Sequence, residues 1–174
     1  QQQNHGDEGQ SLQHVHTSIS IQHVDSLPSR LVIVGAGAVG LEFAHMFAGF
    51  GSDVTVLNRS AVLGREDDDV RDSVLSALND SGVTVVEGVE VTEVTEKAVV
   101  TTGGTFDADA VLFATGRVPA VPAGLEKAGI EVDDKGFIAV DDQLRTSAEN
   151  VWAVGDCNGG PQFTYISLDD YRIV

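Results

Sequence analysis

Residues 31–48 read LVIVGAGAVGLEFAHMFA, and their order decides the fold: an apolar β run, then a Gly-x-Gly-x-x-Gly turn, then an amphipathic helical pattern. Each glycine has a physical reason to be there. Gly35 permits the tight exit from the strand, Gly37 lets the backbone approach a pyrophosphate with no Cβ in the way, and Gly40 lets helix and strand pack closely. Ala36 and Ala38 keep the turn small, and Ala38 and Val39 open a helix whose free N–H groups and positive dipole end suit phosphate. A Gly-x-Gly-x-x-Gly by itself is a weak signal. With a readable strand before it and a readable helix after it, the stretch is read as a cradle for a dinucleotide.

Outward from that stretch the pattern repeats and then changes. A loop with Pro28 precedes the strand at 31–34, the helix spans 39–47, and Gly49 and Gly51 stop it. A second strand is expected at 54–57 and a second helix at 67–79, its acidic first turn suited to the dipole rather than to a cation. After a strand at 83–87, residues 89–94 and 98–102 alternate at period two and Gly103–Gly104 turn the chain toward 105–106. That is an antiparallel meander where a uniform repeat would place another helix. The apolar strand 110–114 closes the domain at Thr115–Gly116–Arg117. Beyond it, short strands are expected near 138–140 and 151–154, and a helix near Phe163. The expected fold class is therefore α/β, a Rossmann-like nucleotide domain with an antiparallel β-meander crossover. The expected domains are a polar N-terminal linker and lead-in at 1–25, a nucleotide-binding domain at 26–117 and a further segment at 118–174.

Composition narrows the function classes. The 174 residues carry a formal net charge of −17, the wrong sign for a nucleic-acid partner. There is no apolar run of membrane-spanning length and no secretory leader, so no membrane partner is expected and the cytoplasm is the default location. Gln-rich residues 1–13 have no period. His14, His16 and His23 could mark a metal site, but a histidine-spotted polar segment needs no metal and none is expected. Cys157 is the single cysteine, which leaves no disulfide framework and no redox pair within these residues; it is expected to be a small buried residue.

Three elements in order, GAGAVGLEFA, DAVLFATGRVP and TSAENVWAVGD, resemble the pyridine nucleotide–disulfide oxidoreductases, flavoproteins related to glutathione reductase, lipoamide dehydrogenase and mercuric reductase. The third looks like that family's second flavin fingerprint, with Trp152 where Phe or Tyr is usual. The ending GGPQFTYISLDDYRIV is similar to a branch of mercuric-reductase-like and reactive-chlorine-resistance reductases. The resemblance implies that 118–174 is part of a flavin (FAD) domain and that the chain is a middle stretch of a homodimeric enzyme. The first flavin motif, the Cys-x-x-x-x-Cys pair and the C-terminal His–Glu base would lie outside it, in the remainder of the flavoprotein chain. These residues alone are then expected not to turn over.

The resemblance also assigns roles. Gly35, Gly37 and Gly40 match the nicotinamide-dinucleotide fingerprint. Glu42 matches a carboxylate near the nicotinamide carboxamide and the flavin edge and is the one candidate for the hydride step. At the end of the second strand, where a carboxylate would mark NAD(H), the chain has Asn58 followed by Arg59 and Arg65. Two guanidinium groups suit a 2′-phosphate, so NADP(H) is the expected cofactor and NAD(H) the second choice. Thr115 and Gly116 match the segment that passes close to the dinucleotide. Gly155 and Asp156 match the flavin-fingerprint contact to the ribityl chain, and Phe163–Thr164 open a helix toward the isoalloxazine. Two competitors fit less well. A non-catalytic nucleotide-sensing module explains neither the meander nor TSAENVWAVGD, and a short-chain dehydrogenase needs Tyr-x-x-x-Lys, where Tyr165 is followed by Asp169.

Overall fold

The computed structural model describes residues 12–64, 66–116 and 118–174. They form two compact units, divided between Gly116 and Arg117.

The first unit is built on strand β2 (Arg30–Val34), four of whose five residues are buried. A parallel strand covered on both faces needs a continuous apolar run, and this one has it. Leu31 and Ile33 point into one core with Leu41, Ala44 and Phe47, while Val32 and Val34 point into a second core with Val99 and Val111. The first core is closed by helix α1 (Ala38–Phe50), which buries Gly40, Leu41, Ala44 and Phe47 at helical spacing and ends on left-handed Gly51. Strand β3 (Asp53–Asn58) follows, then helix α2 (Asp68–Asp80) with Asp68 and Asp69 in its first turn, then strand β4 (Thr84–Glu87).

The second core is covered by the meander β5 (Val91–Val94), β6 (Ala98–Thr101) and β7 (Gly104–Asp107), an antiparallel sheet of order β5-β6-β7. Val99 of β6 is fully buried there, and Phe106 of β7 packs against the same cluster. The meander thus supplies the apolar layer that a helix would supply elsewhere. Strand β8 (Ala110–Phe113) then returns beside β2, and with strand β1 (Val15–His16) at one edge the main sheet is parallel throughout, in the order β1-β8-β2-β3-β4. This is the expected α/β fold with its antiparallel crossover.

The N-terminal segment departs from expectation. Strand β1 (Val15–His16) pairs in parallel with β8, Val15 opposite Val111, and Ile21 is fully buried in the first core. Among the described residues, organised structure is therefore present at Val15, ahead of Ser26, because two residues of backbone pairing and one core side chain suffice to dock a polar segment. Residues 1–11, read as an unpatterned Gln-rich stretch, lie outside the described residues. No group of three or more His, Cys, Asp or Glu among the described residues, His14, His16 and His23 included, is arranged to hold a metal ion.

The second unit holds 3-10 turns at Leu125–Ala128 and Gly155–Asn158 and helix α3 (Thr164–Ile173), with Phe163 as its N-cap. The two strands expected here reduce to isolated bridges, Val132 with Ile138 and Arg145 with Trp152. Turns centred on carboxylates take their place: Asp133 Oδ1 accepts from the amides of Lys135 and Phe137, and Asp141 Oδ1 from those of Gln143 and Arg145. Cys157 is half-buried, and its thiol donates to the Val154 carbonyl at 3.3 Å.

Candidate functional site: a dinucleotide cradle and a flavin-fingerprint turn

The turn after β2 is fixed before any ligand is considered. Gly35 has φ +105°, and its N–H donates to the Leu57 carbonyl of β3 at 2.9 Å. A Cβ on Gly35 would stand 2.6 Å from the Ala114 carbonyl oxygen. A Cβ on Gly40 would overlap the carbonyl oxygen of Gly35 itself and lie 3.4 Å from the Ala114 Cβ. These two glycines are therefore demanded by packing among the turn, α1 and the end of β8. Gly37 is not. It has φ −77° and ψ 175°, open to any residue, and a Cβ there would meet nothing within 4 Å. Gly37 is also the N-cap of α1 and provides no capping side chain, which leaves the N–H groups of Ala38, Val39 and Gly40 directed along the helix axis with no side-chain partner. The combination of an open Cβ position and an uncapped helix start is what a pyrophosphate oxygen requires.

The edge of the cradle is made by Asn58 at the end of β3. Its Oδ1 accepts from the Ala36 amide at 3.2 Å and its Nδ2 donates to the Ser60 carbonyl at 2.8 Å, so this side chain ties the glycine turn to the following loop. Arg59 is 81% exposed, with Nη1 3.8 Å from Glu90 Oε1; an exposed pair at that separation constrains it little. Arg65 lies outside the described residues. Glu42 is exposed on α1, two residues past Gly40. Thr115 and Gly116 are exposed immediately after β8, Gly116 with φ +131°, and the Thr115 amide nitrogen would be 3.0 Å from a Cβ on Gly35. Gly35, Gly40 and Thr115 are thus brought to one place at the C-terminal ends of parallel strands, where open α/β sheets bind ligands.

Two charged residues at this edge escaped the sequence reading. Glu87 ends β4 opposite Asn58, and its Oε1 accepts from the Val62 amide. Arg71 on α2 donates from Nη2 to both oxygens of Glu87 at 2.9 Å and from Nε to the Val62 carbonyl at 3.0 Å. The Val62 amide foremost, and then Arg71, hold the Glu87 carboxyl below its usual range. No local pattern links residues 16 apart on a helix and a strand end.

In the second unit, Gly155 has φ +73° and Asp156 follows it, exposed. The Gly155 amide donates to Asp170 Oδ2 at 2.8 Å, and Asn158 Nδ2 donates to the same oxygen at 3.3 Å. Asp170, buried on α3, thereby sets the turn that presents Asp156, a role that its position in LDDYRI did not announce. A cleft of about 420 Å³ beside this turn is lined by Val118, Pro119, Ala120, Val154, Asp156 and Cys157, among others.

Comparison with known proteins identifies the family. Residues 3–170 match the family model described as pyridine nucleotide-disulphide oxidoreductase. The chain is 45% identical over 167 residues to a probable pyridine nucleotide-disulfide oxidoreductase, RclA, of Escherichia coli, covering 92% of this chain and 38% of that one. It is 36% identical to the mercuric reductase of Acidithiobacillus ferrooxidans, covering 82% of this chain and 27% of the relative. Among solved structures, the Cu(II) complex of the HOCl-induced flavoprotein disulfide reductase RclA superposes with a TM-score of 0.88 at 42% identity, over 94% of this chain and 39% of that one. LpdA of Mycobacterium tuberculosis gives 0.83 at 30% identity, over 90% and 36%. The chain therefore spans well under half the length of these relatives, and over that span it belongs to the pyridine nucleotide-disulphide oxidoreductase family.

Proposed function

We propose that this chain is the NADP(H)-holding part, with a portion of the FAD-holding part, of a cytoplasmic, homodimeric flavoprotein reductase in which hydride passes from nicotinamide to flavin. The observation that carries the nucleotide half is the difference among the three glycines. Gly35 and Gly40 are crowded, whereas no described atom lies within 4 Å of where a Cβ on Gly37 would stand. A ligand that needs that space accounts for a glycine there.

In this reading the N–H groups of Ala38, Val39 and Gly40 bind the pyrophosphate, and Thr115 and Gly116 pass along the dinucleotide. Arg59 and Arg65 bind a 2′-phosphate, while Asn58 holds the turn and places no carboxylate where it would repel that phosphate. Glu42 orients the carboxamide at the nicotinamide end. Gly155 permits, and Asp156 makes, a contact to the ribityl chain of FAD. The cofactors supply the hydride chemistry; the protein supplies placement and field. With a net charge of −17, nucleic acid is not a partner.

The test is calorimetry with NADPH and NADH. A charge-assisted bond contributes about 1.5–3 kcal/mol, so one well-formed arginine contact predicts roughly tenfold tighter NADPH binding. Arg59→Ala should erase most of that difference, and Gly37→Val should weaken both cofactors while the protein stays folded. Equal affinities in the wild type would remove the NADP(H) assignment, and unchanged binding by Gly37→Val would remove the cradle.

A further inference from the structure

The loop that follows β3 is held more firmly than a surface connection requires. Val62 is fully buried in the first core, and both of its backbone polar groups are taken: the N–H by Glu87, the C=O by Arg71 Nε. Arg71 then closes the triangle on Glu87 through Nη2. Its Nη1 also lies 3.8 Å from Asp72, an exposed contact on the same helix that leaves the fork free to face Glu87. The other end of the loop is tied by Asn58 to Ser60 and to the glycine turn through Ala36. Arg59 sits between the two ties, and among the described residues its side chain meets only Glu90, in a 3.8 Å exposed pair. The backbone on either side of it is tied and its guanidinium is exposed, the arrangement that lets a cation meet an anion at a defined place.

Such anchoring also disposes of a carboxylate. Glu87 lies opposite Asn58 in the β3–β4 register, so a carboxylate stands at the edge where an unphosphorylated adenosine ribose would be recognised. With Oε1 bound to Val62 and both oxygens bound to Arg71, it is neutralised and turned toward the loop.

We propose that Arg71 and Glu87 are a positioning pair for cofactor selection: by gripping both backbone groups of Val62 they fix the Arg59 loop and keep the Glu87 carboxylate from opposing a 2′-phosphate. This rests on the reading of the loop as the 2′-phosphate edge of an NADP(H) site. Neither residue touches the ligand. Arg71 is the member whose loss exposes both effects, because its removal unpairs Glu87 and releases the Val62 carbonyl together.

The experiment compares 2′,5′-ADP with 5′-AMP, probes that differ only in the 2′-phosphate, by calorimetry on the full chain as wild type, Arg71→Met and Arg71→Lys. Arg71→Met should lower the preference for 2′,5′-ADP by about fivefold or more, with 5′-AMP affinity within about twofold of wild type. Arg71→Lys keeps the charge beside Glu87 but not the fork, and should fall between. Amide exchange at Val62 should quicken in both variants. An unchanged preference in a folded variant, or equal loss of both nucleotides, would overturn the pair's role, since a purely structural contribution moves both probes alike. If Arg71→Met does not fold, Arg71→Lys decides by the same criterion. A wild type that binds the two probes equally would instead overturn the underlying 2′-phosphate reading, and the selection role with it.

Discussion

In the first unit the central strands β2, β3 and β8 send fully buried side chains to both faces of the sheet, Leu31, Val54 and Leu112 to one and Val32, Leu57 and Val111 to the other. In the second unit, Ile138 and Ala153 are the buried apolar residues among those described, while Phe163, Tyr165, Leu168, Tyr171 and Ile173 of α3 and its cap are more than half exposed. Carboxylate-centred turns and Asp170 provide much of the second unit's hydrogen bonding instead. Apolar burial contributes about 25 cal/mol per Å², whereas a hydrogen bond adds about 1 kcal/mol net. One unit carries its own core; the other is organised by backbone geometry with little core behind it. The proposed nucleotide cradle is mounted on the unit with its own core, and the Gly155–Asp156 turn on the unit with fewer buried apolar residues among those described.

The largest effect should come from crowding the first unit. Gly35→Ala places a Cβ 2.6 Å from the Ala114 carbonyl at φ +105°. Backbone strain and overpacking together should cost about 3 kcal/mol or more, read as a fall in the midpoint of denaturant unfolding followed by far-UV circular dichroism. Gly37→Ala, two residues along with an open Cβ position and extended backbone, should cost about 1 kcal/mol at most, the preference for Gly over Ala at an N-cap. If the two variants lose stability equally, the distinction between a structural and a ligand-directed glycine fails.

That contrast marks what the sequence could and could not reveal. Residues 31–40 were legible because strand, turn and helix each carry a local signal and all three agree. The meander was legible because period two is a local property. Strand β1 was not: two residues on a sheet edge have no period, and Ile21, fully buried, sits two residues from Ile19, which is 73% exposed. Arg71 and Glu87 meet only because α2 returns the chain beside β4, and the pairing of Asp170 with Gly155 bridges 15 residues. The two strands expected in the second unit shrank to single bridges because Asp133 and Asp141 draw neighbouring amides into turns. Chain topology supplies β1, the Arg71–Glu87 pair and the Asp170–Gly155 bond, whereas the Asp133 and Asp141 turns are local, each spanning two to four residues.

An intermediate effect should sharpen the comparison from the other side. Asp170→Ala removes the acceptor for the Gly155 amide and for Asn158 Nδ2 in a buried setting. Leaving such donors unsatisfied costs about 1–3 kcal/mol, a large share of what a unit with so small a core holds. Amide exchange should therefore accelerate at Gly155 and through residues 153–170, while Val32 and Leu112 in the first unit keep wild-type protection. Acceleration spread evenly over both units would mean that they do not have separate stabilities.

The smallest effect is a pH dependence confined to the first unit. His16 lies on β1, where burial first, and the neighbouring His14 second, push its pKa below 6.5. A base whose folded pKa is depressed is protonated more readily in the unfolded chain, so the unfolded state takes up protons first as the pH falls. Docking of β1 against β8 should therefore be at full strength above pH 6.5, weaken as the pH falls below that value, and level off below the folded pKa of His16. The change is modest, because the imidazole is only partly buried. It can be read as faster amide exchange at Val111, whose N–H donates to the His14 carbonyl, at pH 5.5 relative to pH 7.5 after correction for intrinsic rates. His16→Gln should flatten the trend, since glutamine has no proton to gain. A trend that survives in that variant would assign the pH sensitivity to another histidine and leave β1 docked by backbone pairing and Ile21 alone.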